Sequence, residues 1–417
     1  MPLSWRARGV VVALALASGN CALAQVATSR DAYAASQSDA GAVASSLAER
    51  WRFGAVFDVA YTSQALALGA RDRGLELGHS DLTASGPLGR YFVAQANAVL
   101  ATHDGRLEAD VEELWLETVT LPLGAVARVG RFASQIGRLN EQHPHADDFV
   151  ERPLLYRAFF GGHWNDDGAR LNITLPTELY AMIGVEAFRG KRLVEAAQAP
   201  KTPGAYTVVA KVGGDVGRAH SWQLGASYVR NRRLPATDDH ASGDHGEDEE
   251  PHGDDEDGDD DHAHQGNAHD HAHGARFTGR NIWMVDATWK WAPEGNNQEQ
   301  QVRVAVEAAY ITDTASFDAP GEEHRAAAVS AVWRFHPNWE IGVRTDWLSV
   351  AVAEDDHFTR ARLREHSLMV AWKPSHLQSL RLQYARQSEA VGFDRPAKNA
   401  VQLQYVISFG AHGAHSF

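Results

Sequence analysis

The chain has 417 residues, 44% of them apolar and 22% charged, with a mean hydropathy of -0.36. That average is too polar for a bundle of membrane helices, and no Pro/Ser linker or helical block marks off the two or three soluble domains such a length would suggest. The formal charge of -15 has one address: Asp238 to His273 hold eleven Asp, four Glu and no Lys or Arg. The rest sums to zero and offers no basic face for nucleic acid.

Residues 1–24 read as an export signal. Arg6 and Arg8 supply the positive region, Gly9 to Ala17 an apolar stretch too short to span a bilayer, and Ala22-Leu23-Ala24 a small-x-small cleavage site before Gln25. The single cysteine, Cys21, falls inside it. Ser18-Gly19-Asn20 is a poor approach to a lipidated cysteine. A mature chain without cysteine excludes disulfides and thiolate metal sites and fits passage through an oxidising periplasm. Residues 25–50, rich in Ala, Ser and Asp, read as a mobile periplasmic lead-in, too short for a plug domain.

From residue 51 to 417 the recurring signal is a two-residue period. Strands are predicted near Trp51 to Tyr61, Tyr91 to Leu100, Ala125 to Phe132 and Ala169 to Leu175. In the second half, Trp222, Leu224, Ala226 and Tyr228 alternate with Gln223, Gly225 and Ser227, and Trp283, Val285, Ala287 and Trp289 alternate with Asp286, Thr288 and Lys290. Val302 to Tyr310, Ile341 to Trp347 and Leu380 to Tyr384 repeat the pattern. Segments of about ten residues with one apolar and one polar face suit tilted strands crossing hydrocarbon. The expected fold is all-β: a transmembrane antiparallel β-barrel of fourteen to sixteen strands, sixteen preferred. Periodicity alone would also fit a soluble sandwich; the export signal, the strand number, Trp and Tyr near strand ends and the C-terminus favour the membrane.

Between two of these strands, residues 131–168 form a connection rich in large and polar side chains. Such a loop is expected to fold inward and narrow the lumen. His143, His145, Asp147, Asp148, His163, Asp166 and Asp167 are its candidate constriction residues, with direct metal ligation by His143 and His145 a narrower reading. The plain alternative is that His and Asp beside Pro144 cap turns.

The acidic segment 238–273 also carries His240, His245, His252, His262, His264, His269, His271 and His273, against thirteen His in the remainder. It has no apolar side chain larger than alanine, so it is expected to be a disordered extracellular loop. A charge run that only repels neighbours would not need imidazoles. His-x-His pairs among carboxylates suit zinc and also copper, nickel or cobalt, in adaptable multivalent contacts. A calcium loop fits less well, because Gly253 stands where an Asp must begin it.

Counting back in twos from Phe417, the positions Phe409, Ile407, Tyr405, Leu403 and Val401 form an apolar face. His412 and His415 fall on opposite faces of that run. Together with Gly130-Arg131-Phe132, Gly137 to His145, Phe149-Val150, Arg152-Pro153-Leu154 and Gly410 to His415, this resembles a family of bacterial outer-membrane, porin-like barrels often labelled zinc-regulated or TonB-dependent receptor-like, though lacking a plug. The resemblance implies an outer-membrane location, insertion by the barrel-assembly machinery through the strand ending in Phe417, and a link to zinc or another divalent metal. No energy-coupling box is evident at residues 25–50, which argues against energised import by this chain alone.

The function expected is therefore a channel whose outer loop gathers divalent cations, chiefly zinc, and admits them or small solutes to the periplasm. A general or anion-selective porin with the loop as a metal buffer is the alternative. No enzyme is expected: there is no G-x-S-x-G or H-E-x-x-H motif. The partners expected are outer-membrane lipid and, by analogy with sixteen-stranded porins, two further copies in a homotrimer.

Overall fold

A computed structural model describes residues 51–103, 105–119, 121–194, 203–233, 275–314, 322–354, 357–394 and 397–410. The export signal, the 25–50 lead-in, the 238–273 segment with its eight His, and His412, His415 and Phe417 lie outside the described residues.

The first strands are β1 (Arg52–Thr62), β2 (Gly74–Leu77), β3 (Ser80–Leu88), β4 (Phe92–His103), β5 (Arg106–Thr118) and β6 (Ala125–Ala133). They are followed by β7 (Asn165–Thr174), β8 (Tyr180–Phe188), β9 (Ala205–Val216), β10 (His220–Asn231), β11 (Asn281–Trp291) and β12 (Gln301–Thr312). The last are β13 (Glu323–His336), β14 (Trp339–Glu354), β15 (His357–Ser375), β16 (Gln378–Val391) and β17 (Asn399–Gly410). Every neighbour pair is antiparallel. β1 and β17 close the sheet from Gly54 opposite Gly410 to Thr62 opposite Gln402.

β2 and β3 share one place in the wall. β2 pairs with the second half of β1 and β3 with the first, so the barrel has sixteen staves. Closure is what permits strands in hydrocarbon, because every backbone N–H and C=O finds a partner in the wall.

The predicted alternation is realised. On β17, Val401, Leu403, Tyr405 and Phe409 are exposed on the outer face, whereas Gln402, Gln404 and Ser408 are buried inside. On β14, exposed Ile341, Val343 and Trp347 alternate with buried Arg344 and Asp346. Aromatic side chains mark two levels on the outside. Trp289, Trp333, Trp339 and Trp372 lie towards the short-turn end, and Trp283, Tyr310, Trp347 and Tyr384 towards the other. Such girdles bracket the apolar band of an outer-membrane barrel.

Because each strand reverses the last, the connections after β6, β8 and β10 fall at one end of the barrel, and this is where the long ones lie. The β6–β7 connection does not stay outside. It folds into the lumen and carries a short helix, α1 (Leu154–Phe159), all six residues of which are buried. A helix this short is marginal alone; packing holds it. Tyr156, Phe159, Phe160 and Trp164 join Phe188, Ile282, Met284 and Ile311 of the wall in one apolar cluster. Each large side chain buried this way contributes about 1.5–3 kcal/mol.

Val343 is 53% exposed and sits midway between Trp339 and Trp347, so it should face the bilayer centre. Val343→Lys is expected to cost about 2–4 kcal/mol of folding free energy in reversible unfolding from lipid vesicles. A loss below about 1 kcal/mol would move this face out of the hydrocarbon.

Candidate metal centre

Two irregularities in the wall prepare the site. Val59 stands opposite Leu77 and Val56 opposite Asp81; three steps along β1 match four on the facing chain. One residue between β2 and β3 is therefore extra, and His79 occupies that bulge. The adjoining Gly78 donates its N–H to the Asp58 carbonyl at 2.7 Å. A Cβ at Gly78 would come within 2.6 Å of the Arg71 guanidinium and 2.7 Å of the Asp58 carboxylate, so a larger residue here would push apart the Arg71–Asp58 ion pair.

β5 repeats the device. Asn97 pairs with Glu113 and Ala98 with Val111, leaving Glu112 as the extra residue. Both Glu112 and Glu113 consequently point inside. Bulges of this kind re-aim side chains where strict alternation would send them outward.

The inward segment 134–164 supplies the opposite half. It is tied to the wall almost all the way round. Ser134 donates to Glu186 of β8 at 2.6 Å, Tyr156 to Glu307 of β12 at 2.5 Å, Arg157 to Glu365 of β15 at 2.6 Å, and Gln402 of β17 to Glu151 at 3.0 Å. Arg344 of β14 donates to the Glu151 carbonyl at 2.5 Å. These are charge-assisted or buried bonds, the strong kind. Gly137, at φ +63, has its N–H on Ser227 and brings the backbone against Tyr156 and Met284. Pro144 then opens a single 3-10 turn, Pro144–Ala146, which sets His143 and His145 beside the β3–β5 wall.

Four side chains converge there: His79, Asp81, Glu112 and His143. His79 Nε2 lies 3.5 Å from His143 Nδ1, 3.2 Å from Asp81 and 3.0 Å from Glu112. His143 Nδ1 lies 3.5 Å from Asp81 and 3.2 Å from Glu112. A zinc ion with tetrahedral bonds near 2.0–2.1 Å has ligand atoms about 3.3–3.4 Å apart; His79 meets Asp81 through Oδ1 and His143 meets it through Oδ2, so with one oxygen per carboxylate four of the six edges of such a tetrahedron have nearly the right length. Two imidazoles and two carboxylates are an N/O donor set of the type zinc accepts.

Two further histidines stand behind the carboxylates. His145 Nδ1 is 3.1 Å from Asp81, and His163 Nδ1 is 2.7 Å from Glu112. With Nδ1–H donating to Glu112, the Nε2 of His163 is left with a lone pair that is buried without a partner. Asn97 of β4 reaches towards both carboxylates at 3.4 Å. Supports of this sort fix the orientation of ligands.

Electrostatics separate the three loop histidines. Burial alone would lower His143, but the carboxylates of Asp81 and Glu112 outweigh it and raise the imidazole to about 9. His145 is lowered, by burial first and then by the neighbouring charge of His143 and His79, against the pull of Asp81. His163 is lowered by burial, helped by Arg152 and His143. One loop imidazole is therefore held cationic between two carboxylates while two others stay neutral.

Of the residues expected at a constriction, the structure brings His143, His145 and His163 together. Asp147 is elsewhere on the same segment, 2.8 Å from Arg152 and accepting from Gln142. Asp148 pairs with Arg303 of β12. Asp166 faces inward but accepts the backbone N–H groups of Asp167 and Arg192. Asp167 stands on the opposite face of β7 from Arg170, outside the barrel, and pairs with Arg131 at 2.9 Å; the strand's alternation begins earlier than expected, which corrects its assignment to the lumen. His79, Asp81 and Glu112 were not anticipated. For Glu112 the signal was a broken period on β5: outward Leu107 and Val111 are followed by outward Leu114, an odd step that requires one extra residue.

No family model matches the chain. An uncharacterized protein of Aquifex aeolicus is 26% identical over 366 residues, covering 83% of this chain and 70% of the relative. Among solved structures, OprB of Pseudomonas putida superposes with a TM-score of 0.54 at 11% identity, over 88% of this chain and 96% of that one. The outer-membrane channel DcaP of Acinetobacter baumannii gives 0.51 at 12% identity, over 86% and 96%. These similarities lend no support to the receptor label. The two solved structures share one architecture with this chain, a closed antiparallel β-barrel of the outer-membrane porin type.

Proposed function

We propose that the protein is a porin-like channel whose lumen binds a divalent transition metal, zinc favoured, on His79, Asp81, Glu112 and His143, as substrate in transit or as a resident ion. The carrying observation is that one donor atom from each of these residues gives four separations between 3.0 and 3.5 Å. The 238–273 segment joins β10 to β11 at the same end as the inward loop, and on this reading its acid and imidazole groups concentrate cations above the mouth. Three ligands belong to the wall and His143 to the loop, so a bound ion ties the constriction to the β3–β5 side. Insertion by the barrel-assembly machinery and a homotrimeric state belong to the same reading.

A specific observation favours a second reading, an anion-preferring pore: three cations, Arg303, Arg334 and Lys373, gather about the two carboxylates of Glu340 and Asp148. Reversal potentials in a salt gradient across planar bilayers distinguish the two. Cation preference supports the first reading, anion preference the second.

Calorimetric zinc titration tests the site. His143→Ala should abolish lumenal binding in a chain lacking 238–273, and His145→Ala or His163→Ala should weaken it about 10–100-fold, the usual cost of losing a supporting contact. Identical isotherms for the parent and His143→Ala would dispose of the metal centre.

The pH dependence follows from His143. Zinc must displace the proton that His143 holds up to about pH 9, so affinity should rise with pH between 6.5 and 9. In the metal-free protein the sign is reversed. The raised imidazole stabilises the fold fully below its unfolded value near 6.5, and that contribution is lost as pH rises through about 9. Thermal unfolding with a chelator present, scanned over this range, checks it.

A further inference from the structure

Trp339 pairs with Trp372 and, eight residues further along both strands, Trp347 pairs with Arg364. All four side chains are on the exposed outer face. Eight residues of a strand tilted by about 40° rise about 20 Å, close to the height of the apolar band of such barrels. Arg364 therefore lies level with the outer aromatic girdle, and Arg362 and Arg360 lie progressively beyond it. On the neighbouring strands Arg325 shares a row with Ser349 and Arg362, and Arg386 pairs with His366. Five exposed arginines thus occupy one outward patch of β13, β15 and β16, at headgroup height.

Three of them have carboxylate partners: Arg325 with Glu323, Arg360 with Glu322 at 3.1 Å and Arg364 with Glu389 at 3.7 Å. Arg362 and Arg386 have none among the described residues. The contrast with the opposite wall is clear, where Arg131 at a similar height is matched by Asp167. An identical patch on a second copy would repel this one, which argues against a self-interface here. Guanidinium groups bind phosphate bidentately and are the usual choice for it.

We propose that this face binds the phosphate groups of an outer-leaflet lipid, with Arg362 and Arg386 as the principal contacts and Arg325 and Arg364 flanking them. At this level an arginine costs little against the membrane, about 0–1 kcal/mol, and a phosphate supplies the missing counter-charge. The inference rests on the fold alone and stands whether or not the lumen holds metal.

The test uses the full mature chain in a non-ionic detergent, with bisphosphorylated lipid A and its dephosphorylated form as probes. Bound lipid is counted by native mass spectrometry, and the unfolding temperature is followed in parallel. Wild type should retain the phosphorylated lipid at least tenfold more tightly than the dephosphorylated one, and R362A/R386A should lose that preference while keeping the wild-type unfolding temperature in lipid-free detergent. Equal retention of the two lipids by wild type overturns the proposal, as does unchanged preference in the double variant. Binding that emerges only after deletion of 238–273 also overturns it, because the acidic segment of this chain would then be the occupant. Should R362A/R386A fold poorly, R362Q/R386Q keeps the side-chain bulk and is held to the same outcomes.

Discussion

A strand in hydrocarbon has no water to satisfy its backbone, so each N–H and C=O must be matched by a neighbouring strand, and the last strand must return to the first. β1 and β17 meet this demand over nine residue pairs. The outer surface then has little freedom: alternate positions must be apolar, and aromatic side chains settle at its two edges. The inner surface is released from that rule. Charged residues such as Asp58, Glu307, Arg344 and Glu365 are fully or nearly fully buried there, because they face one another and the inward loop rather than lipid.

The same constraint explains where the wall can be irregular. A bulge costs a ladder position and adds a side chain. If the added side chain pointed outward, a polar group would meet hydrocarbon. At Gly78–His79 and at Glu112 the added groups point inward, and both serve the same cluster. The inward segment meets them with Pro144 and a short turn, and it is held against displacement by bonds to at least six strands. A rigid loop facing a rigid wall holds these donor atoms close together by protein contacts alone, so on the proposed reading little conformational entropy would oppose the binding of an ion.

Charge is sorted by position as well as by type. Inside, arginines are paired with carboxylates in short bonds, as in Arg157 with Glu365 and Arg170 with Glu186. Removing one partner there would strand the other in a poorly solvated place. Outside, on β13, β15 and β16, arginines outnumber their carboxylate partners at the boundary between hydrocarbon and water, and on the proposed reading headgroups supply the opposite charge for Arg362 and Arg386. The two arrangements follow from one dielectric profile seen from its two sides.

The period of two was enough to read the all-β class and the faces of β10, β11, β12, β14 and β17; the outer-membrane architecture needed the strand number, the aromatic residues near strand ends, the export signal and the C-terminal pattern as well. The inward turn of the β6–β7 connection was expected from its length and its many large and polar side chains, whereas the buried residues that anchor it, Tyr156, Phe159 and Phe160, were not singled out. His143, His145 and His163 could be nominated from composition. Their partners could not. His79, Asp81 and Glu112 lie 31 to 84 positions away along the chain, and each reads locally as an ordinary surface residue of a strand. Only the register of β1 with β2 and β3, and of β4 with β5, turns them inward. Register is a property of paired strands: it is fixed when neighbours align their backbone hydrogen bonds, and no single segment contains that information.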